Sequence, residues 1–311
     1  MQHQAIMPHD TSAEGRSAGH ARDGVLCRSA ITAHPQLLPV LAGLSRELRD
    51  LFIVNARLGR TLGSHQRWML TQAAFALHVE YDSADKLSGL TVGRLRDLIT
   101  ATSAASRNTV LNFMEEMRHH RYVRDVPPPP GVRSRRRRIE VTETAHEAMV
   151  RWLSANLRVL DQLDGGNRVA VHEADPALLS RVQPVMIRAC LNDPDWLDPP
   201  GAVGLFQWTE GGALVMDEIL VRAGGTPADA EGRVAVGQIN IRVMADAYLM
   251  SHTHLQRLFR KAAEVGVIGW SGQRRKADLW VSTAFLQDYA RWQAAKLSHL
   301  DQAFQAALPP G

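Results

Sequence analysis

The chain has 311 residues, of which 45% are apolar and 22% are charged, and its formal net charge is +4. This length and apolar content predict a globular protein with two domains of ordinary size. No stretch approaches the roughly 18 uncharged apolar residues that a membrane helix needs, and the N-terminus lacks the apolar core of a secretory signal. We therefore expect a cytoplasmic protein with no membrane partner. Cys27 and Cys190 lie far apart without partner spacing, which argues against a disulfide framework and a zinc motif.

The first half of the chain begins with a polar segment and continues with helices. Residues 1–30 are rich in His, Ser, Gly and Ala without periodicity, which predicts a disordered arm. Residues 36–62 and 64–79 show helical apolar spacing, and the second stretch places Trp68 and Phe75 on one side. We expect these two helices to form the base of a first domain over residues 31–164.

Two shorter helices joined by a turn are predicted next. Residues 91–99 indicate the first helix, residues 101–105 the turn, and residues 106–120 the second helix. Apolar residues of the second helix recur at i, i+3, i+4 and i+7, which predicts a buried face. These residues are Val110, Phe113, Met114 and Met117. The residues expected to point away from that face are Arg107, Asn108, Asn112 and Glu115.

A pair of strands around a basic tip is predicted after these helices. The extended runs are Tyr122–Val126 and Arg137–Val141, with Pro127–Gly131 in the turn between them. Six arginines lie between Arg124 and Arg138. An isolated basic run is as often a solvated loop as a binding site, but the position of this run at the tip of a strand pair favours binding. A long helix ending near Leu163 closes the first half.

The second half of the chain repeats the first. Residues 151–162 and 291–302 are identical at seven of twelve positions at an offset of 140, and residues 106–123 align with 251–268 at an offset of 145. We therefore predict a tandem duplication with a linker over residues 165–175 and a second domain over residues 176–311. The repeat predicts helices near residues 236–245 and 251–264, and strands near residues 267–270 and 278–281. It does not predict the acidic, proline-rich loop over residues 192–201.

The order helix, turn, helix, two-stranded wing and long terminal helix resembles the MarR family of bacterial regulators. A wing motif of the form Asp-x-Arg-x-x-x-(Val/Ile/Leu)-x-(Leu/Val)-(Thr/Ser) supports the resemblance. The matching residues are Arg135, Ile139, Val141 and Thr142 in the first copy and Arg275, Leu279, Val281 and Ser282 in the second. Both copies depart from the motif at its acidic position, where Arg133 and Gln273 stand. The resemblance implies a mainly α fold with small β-wings, built as two tandem winged helix-turn-helix domains related by a pseudo-twofold axis.

Such a fold presents the second helix of each helix-turn-helix to the major groove of DNA. The predicted DNA-binding residues of the helices are Ser106, Arg107, Asn108, Thr109 and Asn112 in the first copy and Ser251, His252, Thr253, His254, Gln256 and Arg257 in the second. The predicted wing contacts are Arg133, Arg135, Arg136, Arg137, Arg274, Arg275 and Lys276. Since the two helices differ chemically, we expect an asymmetric operator. Glu115 and Glu116 argue against DNA binding by the first copy, because their carboxylates would repel phosphate if they faced it.

The expected function is sequence-specific control of bacterial transcription through double-stranded DNA. Trp152 and Trp292 lie on the terminal helices, where core packing is the simplest account of them. The resemblance further implies that these helices frame a pocket for a small apolar or aromatic effector. Histidine spacings and the missing catalytic and phosphate-binding motifs favour a protein that is not an enzyme and holds neither a metal nor a cofactor. The alternative is a tandem winged-helix replication initiator or a chromosome-structure or protein-interaction module. Either the pseudo-dimeric monomer or a homodimer fits the sequence.

Overall fold

A computed structural model describes residues 24–54, 63–85, 88–127, 137–272 and 277–309. The fold is mainly helical and carries two small antiparallel sheets. Among the described residues, none of the helices is both long enough and apolar enough to cross a membrane.

The elements of the first half follow the predicted order. They are helices α1 (Arg28–Ala33), α2 (Leu37–Val54), α3 (His65–Val79), α4 (Val92–Ala101) and α5 (Arg107–His119), strands β1 (Val123–Asp125) and β2 (Ile139–Val141), and helix α6 (Glu143–Asp164).

The second half has further elements before its own pair of short helices. Helices α7 (Arg168–Ala174), α8 (Leu178–Leu191), α9 (Pro194–Leu197), α10 (Gly201–Gln207) and α11 (Gly212–Ala223) precede strand β3 (Arg233–Gly237). Helices α12 (Ile241–Ala247) and α13 (His252–Glu264), strands β4 (Ile268–Ser271) and β5 (Asp278–Ser282), and helix α14 (Thr283–Ala307) complete it.

Side-chain caps fix where several of these helices begin. Ser64 accepts a hydrogen bond from the backbone N–H of Arg67 at the start of α3, and Thr91 accepts one from Arg94 at the start of α4. Each cap satisfies a backbone donor that the first helical turn leaves free. The predicted helices over residues 64–79, 91–99 and 106–120 are confirmed, with small shifts at their ends.

Both halves carry a small sheet beside their short helices. In the first half, β1 pairs with β2 in the register Val123↔Val141, and Leu90 forms an isolated bridge to Ile139. In the second half, the strand order is β3-β5-β4, with Val281 of β5 paired to Val234 of β3 and to Ile268 of β4. The predicted strands of both copies are confirmed.

The helices of the two halves pack reciprocally. Helix α3 of the first half packs on α8 of the second, and α11 of the second half packs on α2 of the first. In the same way α1 packs on α14, and α7 packs on α6. Each half therefore buries apolar faces that only the other half can cover.

A buried carboxylate ties three segments of the chain together. Asp301 on α14 is fully buried; it accepts hydrogen bonds from the backbone N–H of Leu26 at 2.7 Å and from Nε of Arg168 at 2.7 Å. Arg168 also forms ion pairs with Asp164 at 2.6 Å and with Asp161 at 3.2 Å. Because all these groups satisfy one another, burial of the charged cluster is tolerated.

Several predicted boundaries are corrected by the fold. The helix expected near residues 236–245 is wrong at its start, because Val236 belongs to β3 and α12 begins at Ile241. The predicted linker over residues 165–175 contains α7, which Arg168 anchors. The predicted arm over residues 1–30 ends too late, since Leu26 is buried and α1 begins at Arg28. Residues 1–23, and residues 55–62 of the predicted helix over 36–62, lie outside the described residues.

Candidate nucleic-acid interface

Helix α5 has one buried face and one polar face. Its apolar stripe of Val110, Phe113, Met114 and Met117 is buried. Arg107, Asn108 and Asn112 are exposed, and Thr109 is partly exposed. The predicted division of this helix between core and solvent is confirmed. The exposed positions offer an arginine and two asparagines, the side chains that form paired hydrogen bonds with guanine and adenine.

The serine before each of the two equivalent helices has a structural role. The hydroxyl of Ser106 accepts a hydrogen bond from the backbone N–H of Thr109 at 3.2 Å, and the hydroxyl of Ser251 accepts one from His254 at 3.2 Å. Both serines are exposed N-caps at an offset of 145. They fix the first turn of each helix, which is the turn predicted to face DNA.

The two acidic residues of α5 are held by neighbouring arginines. Glu116 pairs with Arg67 of α3 at 2.6 Å, which links the base helix to α5. Glu115 pairs with Arg118 at 2.7 Å, and the same guanidinium reaches Asp125 of β1 at 3.1 Å. These two carboxylates, which argue against DNA binding by the first copy, are therefore partly neutralised. Their ion pairs also link α5 to α3 and β1.

Helix α13 presents a larger basic face than α5. Its inner stripe of Leu255, Leu258, Phe259 and Ala262 is buried. The exposed side chains are His252, Thr253, His254, Gln256, Arg257, Arg260 and Lys261. Arg260 lies 3.6 Å from Glu264, in a pair that is exposed on both sides. Within the described ranges, Arg107, Arg257 and Lys261 form no ion pair. Unpaired cations of this kind are available for phosphate or base contacts.

The structure describes the predicted wings only in part. Arg137 is exposed. Arg124 and Arg138 pair with Glu140 at 2.8 and 2.7 Å, and hydrogen bonding from Arg124 holds the pKa of the Glu140 carboxyl below its usual value. The remaining predicted wing contacts lie outside the described residues and stay predictions: Arg133, Arg135, Arg136, Arg274, Arg275 and Lys276. So do the wing-motif positions Arg133 and Gln273.

A second candidate site is a cavity between the two repeats. It receives side chains from α2, α3, α6, α9, α10, α11 and α14, and about 90 Å³ of it is accessible to water. Its aromatic wall consists of Trp68, Trp152, Trp196, Trp292 and Tyr289. The rings of Trp196 and Trp292 stack at 4.3 Å between centroids. Trp152 and Trp292 are buried, as core packing requires, and they also line this cavity.

Ionisable groups lie on the wall of the same cavity. Burial lowers the pKa of Lys296 to about 8. Burial also raises the pKa of Asp217 to about 7, although the Ser45 hydroxyl donates a hydrogen bond to Oδ1 of Asp217 at 2.7 Å. Burial lowers the pKa of His65 to about 3, so its imidazole is neutral among the indole rings.

The sequence alone did not identify the ionisable residues of this cavity, although it placed Trp152 and Trp292 on the helices expected to frame an effector pocket. The sequence does contain one signal for Lys296. Trp292, Lys296 and Leu300 follow one another at intervals of four residues, which places the lysine on an otherwise apolar face of α14. A lysine at such a position is either buried or aimed at an interface. Trp196 comes from the loop over residues 192–201, which the internal repeat did not predict.

In the described part of the chain, no group of three or more His, Cys, Asp or Glu side chains is placed to hold a metal ion. Comparisons with protein-family models, curated proteins and solved structures find no match to this chain.

Proposed function

We propose that the chain is a DNA-binding transcriptional regulator composed of two tandem winged-helix units related by a pseudo-twofold axis. In this proposal, α5 and α13 are recognition helices, and one chain is equivalent to a dimer. The observation that supports the proposal most is the similarity of those two helices. Both bury a matching apolar stripe, both begin at a serine cap, and both leave an exposed face with unpaired cations.

The sheets and terminal helices agree with this proposal. In each half a short strand pair follows the candidate recognition helix, as wings follow it in winged-helix proteins. The reciprocal packing of α3 on α8 and of α11 on α2 is the arrangement expected of a fused dimer. A small apolar or aromatic effector in the cavity between the repeats would act on both units at once.

The proposed operator is asymmetric. Arg107, Asn108 and Asn112 of α5 correspond at an offset of 145 to His252, Thr253 and Arg257 of α13. Two unlike helices read two unlike half-sites, which would lie about one helical turn of DNA apart.

Selection from randomised duplex DNA at two salt concentrations, followed by sequencing of the bound pool, tests the proposal. We expect a site with two unlike halves and an affinity that falls with salt, because phosphate contacts release counterions. A symmetric palindrome would contradict the asymmetric operator. Retention without any enriched sequence would contradict sequence-specific regulation.

One observation favours the alternative of a protein-interaction module for the second repeat. Val243, Leu249 and Val265 are exposed apolar side chains around α12 and α13. If the second repeat served a protein partner, the selected DNA would contain a single half-site, and Arg257→Ala would leave DNA affinity unchanged.

A further inference from the structure

The cavity between the repeats is where the chain departs from its internal symmetry. Helix α14 lines it with the polar side chains Tyr289, Gln293 and Lys296. At an offset of 140, the equivalent residues of α6 are Met149, Leu153 and Asn156. The polar wall is therefore built once per chain rather than once per repeat.

Several polar groups of this cavity have no hydrogen-bond partner among the described residues. Lys296 is 4% exposed, and its ammonium forms no hydrogen bond or ion pair with any residue that the structure describes; it lies 5.9 Å from the centre of the Trp152 ring. Nε2 of His65, Nε1 of Trp196 and Oε1 of Gln293 are buried without a hydrogen-bond partner. A buried charge or polar atom is costly unless it is paired, so a cluster of such groups in one cavity indicates a ligand.

A partly buried carboxylate shares the cavity with this lysine. Asp217 lines the wall, and the Ser45 hydroxyl donates a hydrogen bond that holds its side chain in place. Asp217 and Lys296 interact electrostatically, but they do not form an ion pair with each other. One cation and one anion therefore stand apart in a pocket walled by indole rings.

We infer that this cavity binds a small zwitterion, an α-amino acid with an apolar or aromatic side chain. Its carboxylate pairs with Lys296, its ammonium pairs with Asp217, and its side chain lies against the tryptophans. The open volume of about 90 Å³ corresponds to roughly six or more water positions. That space suits an amino acid of the size of phenylalanine. A ligand with both charges also favours the charged forms of both residues, which burial alone disfavours.

Binding of three related compounds to the whole protein without DNA tests this inference. L-phenylalanine carries both charges, 3-phenylpropionate lacks the ammonium, and phenethylamine lacks the carboxylate. Isothermal titration near neutral pH should give one phenylalanine per chain. Its affinity should exceed that of either analogue by about tenfold or more, because each charge-assisted contact contributes that much.

Variants at each end of the cavity sharpen the test. Lys296→Met should remove the preference for phenylalanine over phenethylamine, and Asp217→Asn should remove its preference over 3-phenylpropionate. Arg291→Met is the matched control, because this cation lies on the exposed side of α14 and pairs with Asp288 at 2.8 Å. It should leave all three affinities unchanged. Loss of the buried charge in Lys296→Met favours folding, and circular dichroism checks both cavity variants.

Four results would overturn the inference. They are no binding by any of the three compounds, an analogue that equals phenylalanine, two phenylalanines per chain, and an unchanged preference in both cavity variants. The inference deepens the effector response proposed above. Since the titration needs no DNA, failure of ligand binding and failure of DNA binding are separate outcomes.

Discussion

Helices α5 and α13 are alike where they are buried and different where they are exposed. The buried residues correspond one to one at an offset of 145: Val110, Phe113, Met114 and Met117 match Leu255, Leu258, Phe259 and Ala262. On the outer face, Glu115 and Glu116 match Arg260 and Lys261, which reverses the charge. Packing constrains the inner face, whereas the outer face is free to specialise. The second repeat therefore has the stronger electrostatic attraction for a polyanion.

The largest expected effect tests the equivalence of the buried faces. Phe259→Ala should lower the free energy of unfolding by about 3–5 kcal/mol, and Met114→Ala by about 2–5 kcal/mol, because each leaves a cavity in a packed core. Urea unfolding of both variants measures this. Arg260→Ala, an exposed neighbour, should stay within about 0.5 kcal/mol of the parent. A negligible loss in one buried variant alone would show that the two inner faces are not equivalent.

The next effect compares the terminal helices, where Lys296 of α14 stands in place of Asn156 of α6. Burial lowers the pKa of Lys296 from 10.5 to about 8. Below pH 8 the folded state therefore carries the full free-energy cost of burying the charged ammonium. Between about pH 8 and 10.5 the unfolded chain binds more protons, and this residue makes stability rise by on the order of a few kcal/mol.

Neighbouring groups oppose that rise. Burial raises the pKa of Cys190 and of Tyr289, and both make stability fall as the pH rises past their unfolded values. The measurement is therefore the difference between the parent and Lys296→Met in unfolding free energy as a function of pH. The variant should be more stable near pH 7, and this advantage should shrink toward pH 10.5. A constant difference would mean that Lys296 is not desolvated.

A smaller effect concerns DNA affinity. Arg257→Ala should weaken binding to the selected operator by about 1–3 kcal/mol, and Asn112→Ala, at the equivalent position, should do so by a similar amount. Each variant should relax sequence preference in a different half of the site. Fluorescence anisotropy with operators mutated in one half measures this, and Arg291→Met serves as the control. Loss of preference in the same half for both variants would contradict the two-helix arrangement.

The smallest effect concerns the caps that the two helices share. Ser106→Ala and Ser251→Ala should each lower stability by about 1 kcal/mol, because a backbone donor of the first turn loses its acceptor. Aspartate at the same positions should restore the cap. Thermal unfolding of all four variants measures this. If aspartate behaved like alanine, the hydrogen bond would not be the source of the stability.

The sequence predicted what depends on local periodicity. The inner stripe of α5 and the strands around Val123 and Val281 were visible as spacing or as residue type. These features follow from contacts within a few residues, or from the alignment of the two copies.

Long-range pairing explains what the sequence did not predict. The helix predicted near residues 236–245 overlaps the end of strand β3, in which buried Val234 and Val236 alternate with exposed residues and Val234 pairs with Val281 of β5, 47 residues later. The predicted linker over residues 165–175 contains helix α7, because one of the partners that bury Arg168, Asp301, lies 133 residues away in the sequence. The polar lining of the cavity was not predicted, since its walls come from seven helices of both halves.

Reciprocal packing has a consequence for synthesis on the ribosome. The apolar faces of α2 and α3 are covered by α11 and α8, so they stay open until residues 178–223 have emerged. At about 5–20 residues per second, this interval lasts on the order of ten seconds. During that time the nascent first half exposes apolar surface of the kind that chaperones bind, and the speed of translation across the second half sets how long this surface stays exposed.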